Sequence, residues 1–395
     1  MLLRYRRTAY SLCALLCLCV PRAFSQAKPV EVYPRPAKFL FWSPQEKAIG
    51  FSNIEKIFPG HVVKRGASVF PLPYAAQELT VRYEYKGEPW NTARFMEASD
   101  VAGLLVVRDG KILLEQYALG FDQNSRWTSF SVAKSFTSTL VGAAIADHSI
   151  TSIDDPVTRY LPGLKGSGYD GVTVRHVLNM SSGVKWNEDY VDPHSDVNSF
   201  SSATDESRGS RLVTYMSRLP REAEPGTKFS YKTGETNLIG EIVMAATKKP
   251  LATYLSEKIW SAVGMEHDAY WMMSADGNEM GGCCLSVSLR DYGRFALFFL
   301  NGAKSVVAPD WTSQATTPFS SGSTPASDLP GYGYQWWTGP GGTYFANGIF
   351  GQHIQFFPSE RLIVISLSAW SAAIDPSRWE IRNAYLQAVR STVAH

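Results

Sequence analysis

The 395-residue chain is 45% hydrophobic and 13% aromatic, with 19% charged residues. That composition supplies a large core, in one big domain or two intimate ones, and excludes a disordered chain. The formal charge is only +2, and no basic stripe of the kind that marks a nucleic-acid binder is present.

The first residues differ from the rest. A basic start, MLLRYRR, precedes the apolar run AYSLCALLCLCV, and PRAFSQA then offers small residues at cleavage-like spacing. This is the pattern of a signal peptide over residues 1–25, with cleavage expected after Ser25 or Ala27. The competing reading is an uncleaved anchor, but the apolar run is short for a bilayer span. Removal of residues 1–25 takes away Arg4, Arg6, Arg7 and Arg22 and no acid, so the formal charge becomes −2. Of the five cysteines only Cys283 and Cys284 would then remain. Adjacent cysteines make a poor pair, because a disulfide prefers Cα atoms about 5.5 Å apart. An exported protein is therefore expected, periplasmic or secreted, held together by its core rather than by a cysteine framework.

Along the chain, VAGLLVVRDGKILLEQYALG reads as two strands around Asp109-Gly110, a strong hairpin signal. From Ser131 the apolar residues Phe136, Leu140, Val141 and Ala144 recur at helical spacing with small residues between them, which predicts a buried helix. Residues 151–325 contain several helical stretches separated by loops. GYGYQWW, GTYFANGI, GQHIQFFP and RLIVISLSAW return to strand character, and SRWEIRNAYLQAVRSTV closes as a helix. Strands at both ends with helices between them predict an α/β fold plus an α insertion. Residues 28–150 and 326–395 would form the α/β part around an antiparallel sheet flanked by helices. Residues 151–325 would form a mainly helical domain, with the site in the cleft between them.

Two features are read as decoys here, a string and a loop. GSGYDG at 166–171 follows no strand and opens no helix, as a dinucleotide fingerprint must. His194, between Asp192 and Asp196, reads as part of a capped turn rather than a metal site. No metal or cofactor is implied.

Ser131 and Lys134 stand in the spacing Ser-x-x-Lys. On a helix they share a face, and at its N-terminus the serine meets unpaired N–H groups and a positive potential. Burial would favour the neutral form of Lys134, which can take a proton from the serine. The spacing alone equally fits a capping serine beside a solvated lysine.

The wider pattern decides between these. SFSVAKSFTS, ITSIDDPVTRYLPGL, VTVRHVLNMSSGVKWNEDY, PGTKFSYKTGETNLIG and GIFGQHIQFFP, in that order, resemble the serine beta-lactamase-related family. That family holds class C beta-lactamases, D-alanyl-D-alanine carboxypeptidases and related esterases. SVAKSFTS, the tyrosine of WNEDYVDP and the Gly-Gln of FGQH resemble its nylon-dimer hydrolase branch most. The resemblance covers about residues 95–370 and implies a beta-lactamase-like fold. It makes Ser131 the nucleophile, puts Lys134 beside it and sets Tyr231 in the tyrosine place of the Tyr-x-Asn element. A lysine ammonium nearby would ease ionisation of Tyr231. The third position of that element is Thr233 rather than Asn. The late Lys-Thr-Gly element is replaced by Ala346-Asn347-Gly348, so a beta-lactam carboxylate loses its basic partner, and the KTG at 232–234 is out of place.

The resemblance also implies an oxyanion hole from the backbone N–H groups of Ser131 and Ile349, with Gly348 permitting close approach. Tyr190 would bind the scissile amide. Asn237 and His353 are near candidates without an assigned role. The expected activity is cleavage of short linear amides of ω-amino acids through an acyl-enzyme, with a carboxylesterase as the alternative. The expected partner is a small-molecule amide or ester. Nucleic acid and stable membrane insertion after leader cleavage are not expected, and a homodimer is left open.

Overall fold

The computed structural model describes residues 32–319 and 331–394. The leader reading at 1–25 lies outside the described residues. Residues from Tyr33 onward group as a single compact unit.

The predicted hairpin forms. Val101–Arg108 pairs antiparallel with Lys111–Tyr117. Asp109 and Gly110 turn between them with φ of +52° and +76°, which suits a two-residue turn whose twist matches the strands. The described residues build a seven-stranded antiparallel sheet. Its spatial order is Lys111–Tyr117, Val101–Arg108, Leu362–Ser368, Gln352–Phe357, Tyr344–Gly348, Trp337–Thr338, Gly331–Tyr332. Both ends of the chain thus feed one sheet.

Side-chain alternation divides the core in two. Leu104 and Val106 face the C-terminal helix Pro376–Val393 through Tyr385, Leu386 and Val389. Leu105 and Val107 face the opposite way, into the larger cluster that also holds Phe136, Leu140 and Phe295. Strands buried on both faces read as near-continuous apolar runs, as LIVISLS does.

The helix Ala133–Ala146 is buried along almost its whole length. Its hydroxyls find backbone acceptors: Ser135 Oγ donates to Gln335 O at 2.9 Å, Ser138 Oγ to Tyr334 O at 2.7 Å and Thr137 Oγ1 to Gly281 O at 2.6 Å. That is how a serine- and threonine-rich helix tolerates the core. Phe136 stacks on Phe295 with ring centroids 3.6 Å apart.

The middle of the chain carries the expected helices, including Arg211–Met216, Thr233–Thr247 and Leu289–Leu300. It also contains two short strands that the pattern did not reveal, Ala269–Met272 and Leu285–Val287. They join Gly60–Val63 and Trp127–Thr128 in a four-stranded sheet. Both strands are buried throughout, so no apolar–polar alternation marks them. GSGYDG is a loop, closed by the Gly166 N–H on Asp170. Cys283 and Cys284, expected to stay apart, are bridged with their Cα atoms 3.7 Å apart.

Candidate active site

Ser131 sits in the short turn Phe130–Val132 that leads into the helix Ala133–Ala146. Phe130 has φ of +42°, a costly conformation for a bulky residue. Packing holds it there. Its ring stacks on Phe39 at 5.2 Å and meets Phe51 at 4.9 Å and Phe350 at 5.2 Å. Ser129 is fixed on both sides, its N–H donating to Leu285 O at 2.9 Å and its Oγ accepting from Leu285 N at 3.0 Å. The strained residue therefore lies immediately before the serine, on a braced turn.

Lys134 is one helical turn further on and only 1% exposed. Its Nζ contacts Ser131 Oγ at 3.2 Å, Thr233 Oγ1 at 3.0 Å and Gly282 O at 2.8 Å. Burial pushes its pKa down to about 8, with the Glu188 charge pulling the other way. As a neutral amine, Nζ keeps two N–H bonds for Thr233 and Gly282 and turns its lone pair to the Ser131 hydroxyl.

Tyr231 lies beside this pair, with its ring 5.2 Å from Lys134 Nζ. Trp337 stacks on it at 5.6 Å, and Tyr332 meets it edge-on at 6.0 Å. The expectation of an easily ionised phenol is corrected here. Burial, and then the Glu188 charge, raise the Tyr231 pKa well above the ordinary phenol range, although the Ser131 hydroxyl lowers it.

The carboxylate at the centre of these effects, Glu188, has no sequence signal. It accepts from Tyr190 Oη at 2.6 Å, from Thr233 N at 2.9 Å, and from Thr233 Oγ1 and Trp186 Nε1. Each carboxylate oxygen receives two of these four donors, which fills its acceptor sites. Thr233 thus accepts from Lys134 and donates to Glu188. The threonine that departs from the family's asparagine is part of the site.

Gly282 was also missed, because its contribution is a backbone carbonyl. Asn237 positions it: Asn237 Oδ1 accepts from the Gly282 N–H at 2.8 Å. An added Cβ at Gly282 would come within 3.2 Å of Lys134 Nζ. His353 is buried in the strand Gln352–Phe357, with its Nδ1 2.6 Å from Asn347 Oδ1, and takes no part in the cluster.

Ser131, Tyr190, Thr233, Gly282 and Ile349 line one cavity of about 490 Å³. Gly348 ends the strand Tyr344–Gly348 beside it. An added Cβ at Gly348 would stand 2.6 Å from Ser129 O and 3.1 Å from Phe130 Cβ, so only glycine lets this strand end abut the serine turn. The Tyr190 loop is tied by Asn198 Nδ2, which reaches Asp192 O at 2.8 Å. Asp192 accepts from His194 N, and Asp196 accepts from Asn187 N and Tyr215 Oη. The two acids flanking His194 thus stitch the loop.

The beta-lactamase family model matches residues 91–386. The chain belongs to the beta-lactamase family. Within it, the chain is 32% identical to the 6-aminohexanoate-dimer hydrolase of Paenarthrobacter ureafaciens over 291 residues, 70% of this chain and 74% of that one. It is 23% identical to a beta-lactamase of Pseudomonas fluorescens over 181 residues, 44% of this chain and 47% of that one. Among solved structures, a Bacillus anthracis protein assigned provisionally as a 6-aminohexanoate-dimer hydrolase superposes with a TM-score of 0.75. The match covers 88% of this chain and 94% of that one, at 20% identity. These likenesses establish a beta-lactamase-family hydrolase with the expected antiparallel sheet, flanking helices and helical insertion.

Proposed function

We propose that this beta-lactamase-family protein is a serine hydrolase that cleaves short linear amides through an acyl-enzyme on Ser131. The observation that carries this reading is the 3.2 Å contact between Ser131 Oγ and the buried Lys134 Nζ, whose pKa is pushed down to about 8. Lys134 as an amine takes the serine proton, and Ser131 Oγ attacks the carbonyl carbon. The N–H groups of Ser131 and Ile349 receive the oxyanion. Tyr231, which keeps its phenolic proton, gives it to the departing nitrogen. The Lys134 ammonium then passes the serine proton to the Tyr231 phenolate, which restores both groups, and water attacks the acyl-enzyme with neutral Lys134 as base.

Tyr190 favours amides over esters. Its hydroxyl proton goes to Glu188, which leaves its oxygen as an acceptor for a substrate N–H. An ester has no such proton. Ala346-Asn347-Gly348 offers no cation where the family's Lys-Thr-Gly element stands, so beta-lactams and carboxylate-terminated peptides are poorer candidates. The 32% identity to a 6-aminohexanoate-dimer hydrolase supports a linear amide. The basic, apolar, then small-residue pattern of the first 25 residues supports export to the periplasm or beyond.

The test is intact-mass spectrometry with a short acyl anilide and its matched phenyl ester, on wild type and Ser131→Ala. Wild type should gain one acyl group on Ser131 and turn over both substrates, and the variant should do neither. Ester cleavage without any anilide cleavage would replace the amidase by an esterase. Full activity in Ser131→Ala would end the reading.

A further inference from the structure

The cavity reached from Ser131 has a distinctive chemistry. Its walls are built from Phe39, Phe58, Phe130, Met272, Met280 and Ile349, among others. The polar side chains on it, such as Asn198 and Thr233, are uncharged, and no Asp, Glu, Lys, Arg or His is among its described lining residues. The neighbouring carboxylates are engaged elsewhere. Glu188 receives its four donors. Asp276 accepts from Arg211 N at 3.1 Å and from Ser274 Oγ. Glu241 accepts from Ser210 Oγ at 2.7 Å, in an adjoining recess of about 30 Å³ that shares Phe200, Ser274, Ala275 and Met280 with the cavity.

We infer that this cavity seats the acyl half of the substrate, and that this half is uncharged and apolar, a linear alkanoyl or arylalkanoyl group rather than an ω-aminoacyl group. The inference rests on the acyl-enzyme reading above. A terminal ammonium drawn into this cavity would lose water and meet no charged side chain among its described lining residues. Each methylene would instead gain contact with aromatic rings and methionine thioethers, which fill irregular space well. A cavity of this volume is within the range that takes a small organic ligand whole.

The heptanoyl and 6-aminohexanoyl groups have the same length and differ at the far end, methyl against ammonium. Their p-nitrophenyl esters report acylation directly. The Ser131 Oγ–acyl bond forms as the acyl–oxygen bond breaks. The serine proton passes to Lys134, and p-nitrophenolate leaves with the electron pair. The second-order acylation constant should be at least tenfold larger for heptanoyl, and should rise about fourfold per methylene from butanoyl to heptanoyl. Equal constants, or a faster 6-aminohexanoyl ester, would overturn the inference and point to the Glu241–Asp276 recess as an ammonium site. Failure of every ester to acylate Ser131 is a different outcome: it would overturn the serine-hydrolase reading and this inference with it.

Discussion

The hydroxyl of Thr233 lies 3.0 Å from Lys134 Nζ. The same hydroxyl donates to Glu188, so a buried lysine is linked through one oxygen to a fully occupied carboxylate. Glu188 touches none of the groups assigned to bond-making and acts as a positioning residue. Its charge holds the Lys134 pKa higher than burial alone would. Glu188→Gln should therefore move the acid limb of kcat/KM to lower pH, and should lower the plateau because the Tyr190 and Thr233 hydroxyls lose a charged acceptor. A loss of stability with the pH midpoint unmoved would mean that Glu188 only braces the loop.

Tyr231→Phe separates leaving groups. An amine needs a proton as it departs, whereas p-nitrophenolate does not. Amide turnover should fall by roughly 10²–10⁴-fold, with acylation by a p-nitrophenyl ester changed by less than about tenfold. Equal losses on both substrates, measured by stopped-flow and steady-state assays side by side, would assign Tyr231 to activating Ser131 instead.

The close approach at Gly348 gives a steric prediction. Gly348→Ala puts a Cβ 2.6 Å from Ser129 O, which must push the strand end away from the serine turn. Acylation should slow by roughly a hundredfold or more, the size expected for one displaced oxyanion donor. Circular dichroism would check that the fold persists. Wild-type acylation in a folded variant would remove Ile349 from the oxyanion hole.

Much of this site was legible in the sequence because the chemistry fixes short spacings. Ser131 and Lys134 are one helical turn apart, and the Asp109-Gly110 turn announces its hairpin. Tyr231 was singled out through motif order rather than local pattern. Glu188 was not found, because an acid in WNEDY looks like any loop acid until Thr233, far along the chain, folds onto it. Gly282 acts through its carbonyl, which every residue possesses. Phe39 and its neighbours wall the cavity from a proline-rich stretch without periodicity. The short strands Ala269–Met272 and Leu285–Val287 are buried on every residue, which leaves no alternation to read.

The most direct measurement is the pH dependence of Ser131 acylation by a p-nitrophenyl ester in the pre-steady state. Lys134 must lose its proton before it can accept one, so a lowered pKa moves the onset of activity toward neutral pH. The rate should climb about tenfold per pH unit from pH 6 and level off above about 8, near the Lys134 pKa. A rate constant that stays flat from about pH 6 to about pH 10, where an amine base would have titrated, would contradict Lys134 as the group that activates the serine.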